Sequence, residues 1–373
     1  MARERERTTL LNGFSLKAVG LIGLDIGTTA VKAARIRRKG KHITVTGLAQ
    51  ATLEHASSKD TVPGDKTTLA IWRCLHMLHE SPAEVVCGLS GPDVAVRTFD
   101  FPAIPIKQLA SAVELEATQV CSFEMSESTV AHQVLRGPGV KKTRRRQEPQ
   151  GPERVVGVFA AAKNTGIQQV QEQCRSGGAH CVMVDVNGLA LLNCLEACHI
   201  RKPGETALVL NVGNVFTNLA IISDDGLPFV RDIPYAADAI INQVCKSTGS
   251  PRPTIAGALA GTDEARFALQ NLAPAVQEAC STLANRVLET VRYHGTRQSG
   301  PPLDRILLCG GMAQATVVQE ALAGLLGGKV ELFNPLAALA CTRAVHKSEA
   351  AGQGPVFVVA LGLALRSLSD VHD

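Results

Sequence analysis

A hydrophobic run that ends in an acidic residue and turns at once through Gly-Thr-Thr constrains this chain more than any other feature. It is LDIGTT, residues 24–29. Strand, tight turn and second strand bring backbone N–H groups and two hydroxyls to one edge of a sheet, where they can approach phosphate oxygens. Asp25 beside them can hold a magnesium ion through water. A related pattern recurs in NVGNVFTNLA, residues 211–220, where a polar residue again closes a strand before a glycine turn and another strand. A third glycine turn, ILLCGGMAQA at 306–315, follows a strand and opens a helix. Three such turns spread along one chain imply a nucleotide held between two related halves.

The composition agrees with an α/β architecture. At 373 residues the chain can form two domains with buried cores, and with 45% hydrophobic but only 3% aromatic residues those cores must be built from Ala, Val, Leu and Ile. The net charge of +4 is mild, and two Tyr and one Trp leave few base-stacking platforms, so nucleic acid is not an expected partner. The eleven cysteines are scattered, form no C-x-x-C pair and lie mostly in apolar runs, where Cys acts as a small hydrophobe in a reducing cytosol. Cys194, Cys198 and His199 have metal-binding chemistry but sit in the apolar stretch LALLNCLEACHI, which reads as core. The start MARERERTTL is charged throughout, and the longest apolar-plus-glycine run, residues 356–365, is too short to cross a bilayer. A cytoplasmic protein with no membrane span, reaching a membrane only through a partner, is the expectation.

After a basic arm at 1–19, residues 20–50 read as three consecutive strands. The run Arg35, Arg37, Arg38, Lys39 and Lys41 reads as a solvated hairpin tip. Leu69, Trp72, Leu75 and Leu78 recur at helical spacing and predict an amphipathic helix over 66–80. After a strand over 84–90, a second strand over 94–101, a helix over 106–121 burying Leu109, Val113, Ala117 and Val120, and two further strands predict a compact strand-helix-strand-strand insertion. Its last two strands flank a Pro-, Gly- and charge-rich loop at 137–153 carrying Lys141, Lys142, Arg144, Arg145 and Arg146. The sequence KPGE at 202–205 marks a boundary, and the three short strands beyond it repeat the opening of the first half. A long helix is expected over 273–297, with Val276, Leu283, Val287 and Val291 on one face.

These turns, in this order, resemble the actin, Hsp70 and sugar-kinase superfamily. LDIGTTAVK takes the place of a first phosphate loop, VDVNGLALL of a first connecting helix, NVGNVFTNLAI of a second phosphate loop and LLCGGMAQ of an adenosine loop. Within that superfamily, GLDIGTTAVKAARI, VRTFDFPAIPIKQLASAVELEATQVCSFEMSE, FVRDIPYAADAIINQV and NPLAALA with VALGLALR resemble the type IV pilus assembly proteins of the PilM family, relatives of the division protein FtsA. FtsA normally ends in a membrane-binding amphipathic helix; this sequence ends LRSLSDVHD, which favours the pilus family. The resemblance implies an α/β, actin-like two-domain fold. Residues 20–90 and 163–201, with C-terminal helices at about 335–373, would form the first domain, 91–162 an FtsA/PilM-type insertion subdomain, and 202–334 the second domain. It further implies a cytoplasmic ATP-binding protein that joins the inner-membrane pilus assembly complex by binding the N-terminal tail of a PilN-like membrane protein, with self-association as another use of the insertion. Two alternatives stay open: a small-molecule, sugar-type kinase of the same superfamily, and an assembly protein of a related type II secretion system.

The resemblance also assigns a site. Asp25 would hold Mg2+ through water, while Gly27, Thr28 and Thr29 would bind the terminal phosphates of ATP. Lys32 either approaches a phosphate or points to solvent. Asp185 either orients an attacking water or caps the following helix. Gly213, Asn214 and Thr217 would form the second phosphate turn, and Gly310, Gly311 and Met312 would meet the nucleoside. The family usually has Asp where this chain has Asn211, which keeps the shape and an oxygen but loses a charge. At most a weak ATPase is therefore expected. Residues 246–270 lack the Lys and Glu pattern of the usual adenine clamp, which leaves base specificity open.

Overall fold

The computed structural model describes residues 22–40, 42–53, 65–80, 82–137, 154–260, 266–298, 303–327 and 330–366. The basic arm at 1–19, positions 138–153 of the charged loop and the closing residues 367–373 lie outside them. The first half runs β1 (Ile22–Ile26), β2 (Ala30–Lys39), β3 (His42–Thr52), α1 (Lys66–Met77) and β4 (Ala83–Leu89). Next come β5 (Val94–Pro102), α2 (Ile106–Val120), β6 (Ser128–Arg136) and β7 (Arg154–Lys163), followed by α3 (Asn164–Ser176), β8 (Ala179–Val186) and α4 (Asn187–Cys198). The second half runs β9 (Ala207–Val212), β10 (Thr217–Ile222), β11 (Pro228–Ile233), α5 (Ala237–Thr248), α6 (Arg252–Ala260), α7 (Arg266–Gln298), β12 (Arg305–Cys309), α8 (Thr316–Leu326) and β13 (Val330–Leu332). β14 (Ala340–Cys341), α9 (Arg343–His346) and α10 (Val358–Arg366) close the described chain.

The repeat read from the sequence is explicit in the sheets. One has the order β14-β3-β2-β1-β4-β8 and the other β11-β10-β9-β12-β13. In each, three antiparallel strands are followed by strands parallel to the first: β4 pairs parallel with β1, and β12 with β9. Helices α4 and α10 form the layer between the two sheets. One core cluster joins Ala34, Ile36 and Val86 of the first sheet, Leu191 and Leu195 of α4, Leu361 and Leu363 of α10, and Val209 and Ala220 of the second sheet. The apolar run too short to cross a bilayer is thus α10, buried at every position from Val358 to Leu365. Each of its Val and Leu side chains contributes about 1.5–3 kcal/mol by leaving water. Close approach is made possible by glycines: a Cβ on Gly23 would run into the α10 backbone, and one on Gly362 into that of α4 at Ala190.

The outer faces are covered separately. Leu69, Ile71 and Leu75 of α1 and Val170 of α3 cover the first sheet, while α5, α7 and α8 cover the second. The insertion is a sheet of order β5-β7-β6 with α2 on one face. Leu109, Val113 and Ala117 are buried as expected, but Val120 is 39% exposed because the helix ends there and Cys121 is extended. Trp72 likewise lies half out of the α1 stripe, stacked on His76 at 5.2 Å, because the ring lies beside the buried face and not on it. Helix α7 begins earlier than expected, with Pro274 inside it. The basic hairpin tip is not uniformly solvated either. Arg35 is half-buried and donates to Glu80 Oε1 at 2.6 Å and to the Leu78 carbonyl, pinning the end of α1 to β2. Among the described residues no helix is long and apolar enough to cross a membrane.

Candidate functional site

Equivalent positions of β1 and β9 in their sheets make their C-terminal turns counterparts. Asp25 lies opposite Lys32, as Asn211 lies opposite Asn218. The Gly27 N–H closes the first turn on the Ala30 carbonyl at 3.1 Å, and the Gly213 N–H closes the second on the Phe216 carbonyl at 3.2 Å. The two turns meet, since Asn214 Nδ2 donates to Thr28 Oγ1 at 3.2 Å. The third turn joins them through the parallel pairing of Cys309 with Asn211. Gly310 has φ +93°, and a Cβ there would lie 2.5 Å from the Val212 carbonyl oxygen and 2.6 Å from Asn211 Oδ1. Only glycine meets both demands. Beside it a Cβ on Gly311 would meet open space, whereas Met312 is buried.

Charge at this meeting point comes from one side. Asp25 is 8% exposed and its Oδ2 lies 3.1 Å from Lys32 Nζ, so Lys32 neither points to solvent nor stands alone: it neutralises the carboxylate. The counterpart pair is neutral, with Asn211 Nδ2 donating to Asn218 Oδ1 at 2.8 Å. Asn218 Nδ2 in turn donates to Asp232 Oδ1 at 2.7 Å, and Asp232 Oδ2 accepts the Gly91 N–H at 2.6 Å. This relay from the second turn to the loop entering the insertion was not legible in sequence, because Asn218 and Asp232 meet only through strand pairing. Burial raises the Asp232 carboxyl, while the Gly91 and Asn218 donors hold it down. Thr28 and Thr29 are exposed and open to a ligand.

One expected site residue turns into the core, and another makes contacts other than those expected. Thr217 is fully buried and its hydroxyl donates to the Tyr235 carbonyl at 2.7 Å, because its side chain takes the core side of β10. Asp185 shares a level of the sheet with Gly88 and sits by α10, where its Oδ2 lies 3.5 Å from Arg366 Nε. Nor does it cap α4 in the expected way: the N-cap is Val186, and Asp185 Oδ1 only accepts the Val186 N–H at 2.8 Å.

Asp185 belongs to a second concavity. The face of the insertion sheet not covered by α2 presents Gln133, Val158 and Ala160 towards Leu189 and Asn193 of α4 across a cavity of about 180 Å3, with Asp185 and Arg366 at its wall. Asp185 Oδ2 and Asn193 Nδ2 are buried there without a hydrogen-bond partner. Burial raises the Asp185 carboxyl, opposed in part by Arg366 and the Val186 N–H. An apolar slot with one donor that lacks a hydrogen bond, and one carboxylate oxygen held only by its ion pair with Arg366, is suited to an extended peptide segment, whose backbone can hydrogen-bond to both.

A family model described as type IV pilus assembly protein PilM matches residues 23–368. The chain belongs to this family. Among solved structures, it resembles the PilM-PilN type IV pilus biogenesis complex at 24% identity, covering 94% of this chain and 99% of that one with a TM-score of 0.73. It also resembles the ethanolamine utilization protein EutJ from Carboxydothermus hydrogenoformans, at 13% identity over 92% of this chain and 89% of that one, TM-score 0.51. A glycerol dehydratase reactivase matches at 10% identity over 94% of this chain and 100% of that one, TM-score 0.50. The structural likenesses speak to fold, and the fold is the expected actin-like one. Membership of the PilM family makes this a type IV pilus assembly protein, and favours neither the kinase nor the secretion-system alternative.

Proposed function

We propose that the protein is a nucleotide-responsive adaptor, which takes the N-terminal tail of a PilN-like inner-membrane protein into the cavity beneath its insertion and is thereby recruited to the membrane. The observation that carries this reading is a pair of buried atoms without hydrogen bonds, Asn193 Nδ2 and the Asp185 Oδ2 that only the Arg366 ion pair holds, in an apolar slot between the open insertion face and α4. Likeness to a PilM-PilN complex, together with membership of the PilM family, supports the choice of partner. A fluorescence-anisotropy titration of the full chain with a labelled tail peptide tests it. Saturable binding that is lost when Ala160 is enlarged supports the slot, and binding indifferent to that change would move the tail elsewhere.

The same proposal assigns ATP to the junction of the three turns. Gly27, Thr28, Thr29, Gly213 and Asn214 would hold its phosphates, and Gly310, Gly311 and Met312 its nucleoside, with Asp25 taking Mg2+ through water. The donor set fits a hydrated divalent cation and phosphate, with one carboxylate, one ammonium, exposed hydroxyls and turn amides. Residues 20–90 and 163–201 with the C-terminal helices act as one domain and 202–334 as the other, the insertion being 91–162. The α4 and α10 layer lies between the two sheets, so phosphate contacts on both turns would set the angle between the halves. Hydrolysis is weak at most, because the second turn offers Asn211 where a carboxylate would face the metal.

A further inference from the structure

Three of the eleven cysteines, scattered at 87, 174 and 181, converge between the first sheet and α3. Their Sγ atoms all lie within 4.8 Å of one another, and Cys87 Sγ is 3.2 Å from Cys174 Sγ. Cys87 and Cys174 are buried, whereas Cys181, near the start of β8, is partly exposed. We propose that Cys87, Cys174 and Cys181 form a three-thiolate site for a soft d10 cation, Zn2+ or Cu+. Metal–sulfur bonds of about 2.3 Å put ligand sulfurs roughly 4 Å apart, so the cluster needs only small rotations to close on an ion. The cluster contains neither carboxylate nor imidazole, and an all-sulfur set selects thiophilic ions over Mg2+. Partial exposure of Cys181 gives the ion a way in and room for an outside fourth ligand.

Binding is coupled to proton release, because thiols bind the cation as thiolates and their protons pass to solvent as the metal–sulfur bonds form. The position has a consequence for the insertion. Cys87 lies in β4, the strand that leads out to β5, and Cys174 in α3, which returns from β7. A bound ion would fasten both roots of the insertion to β8.

The test uses the reduced full-length protein under anaerobic conditions. Cd2+ is titrated while the ultraviolet thiolate-to-metal band is followed, in the native chain, in C87S/C174S/C181S and in the control C194S/C198S. About one equivalent is expected in the native and control proteins and none in the triple variant; competition by Zn2+ or by Cu+ then identifies the ion. No uptake, equal uptake by the triple variant, or a Cys87–Cys174 disulfide in the freshly purified protein would overturn the site. Should the triple variant not fold, X-ray absorption of the native metal-loaded protein decides: three sulfur ligands support the proposal and fewer refute it.

Discussion

The two concavities of this molecule treat their polar groups in opposite ways. At the junction of the turns the side chains brought inwards already have partners from the protein: Asp25 has Lys32, Asn211 has Asn218, and Asn214 reaches Thr28. Beneath the insertion, Asp185 Oδ2 and Asn193 Nδ2 lie buried and without hydrogen bonds amid Leu, Val and Ala. A ligand entering the first site must trade places with existing bonds, which suits a charged nucleotide with its own cation. One entering the second gains bonds the protein cannot make for itself, which suits a peptide backbone. Unsatisfied buried groups cost about 1–3 kcal/mol each, so satisfying them is a large share of a short tail's affinity.

The two sites should be separable by single substitutions. The largest effect is expected from Ala160→Phe, whose ring would occupy the slot between the insertion face and α4. Tail affinity should fall about 100-fold, or about 2.8 kcal/mol at 1.4 kcal/mol per tenfold, with ATP affinity unchanged. Anisotropy with the labelled tail and calorimetry with ATP measure the two arms. Asp25→Ala is the converse, removing the carboxylate proposed for Mg2+ and leaving Lys32 without its partner. Calorimetry should show Mg·ATP binding weakened about 10- to 100-fold with the tail untouched, roughly 1.4 to 2.8 kcal/mol; equal affinity in variant and native protein would remove Asp25 from the site.

How far the sequence alone could reach follows from the same contrast. The turn residues were legible because each turn is local: a strand end, a glycine and a following strand fix Asp25, Gly213 and Gly310 within a few positions. The repeat was legible for the same reason, as three short strands open each half. The burial of Thr217 and the Arg366 contact of Asp185 were not legible, because they depend on which face of a strand each side chain takes and on which distant elements pack there. Asn218, Asp232, Arg366 and the cysteine trio were invisible because their partners are distant in sequence or meet them only across strands. Cys87 and Cys174 are 87 residues apart and touch only because β4 and α3 are packed together. The exposed Val120 marks another limit: the apolar spacing runs up to the residue at which the helix ends and Cys121 turns extended.

A smaller effect tests the Asp185 acceptor, whose Oδ2 has the Arg366 ion pair but no hydrogen bond. Burial raises the Asp185 carboxyl above its unfolded value, so the folded chain holds that proton more tightly and loses stability as pH rises past the ordinary carboxylate range. A donor from the tail offsets that loss by favouring the charged form. Tail affinity should therefore rise as pH climbs through the interval above 3.8, the ordinary value for this group. Asp185→Asn should lower affinity about fivefold at neutral pH, roughly 1 kcal/mol, and flatten the pH dependence. An unaltered profile in the variant would mean that Asp185 serves only Arg366.

The smallest effect concerns the neutral pair in the second turn. Asn211→Asp would place a second carboxylate near the proposed metal and should raise any ATP turnover, but only a few-fold. The limit comes from its neighbours, since Asn211 now donates to Asn218 Oδ1 and Asn218 spends its own amide on Asp232. A carboxylate at 211 would face that oxygen, and the relay to Gly91 would have to break for Asn218 to turn. Adding Asn218→Lys copies the Asp25–Lys32 pair of the first turn and supplies a cation between the new carboxylate and Asp232. The double variant should therefore exceed the single one in a steady-state phosphate-release assay. If the native protein already cycles ATP at rates typical of metabolic enzymes, about 1 to 1000 per second, the neutral pair does not restrain hydrolysis and the asymmetry between the turns has another cause.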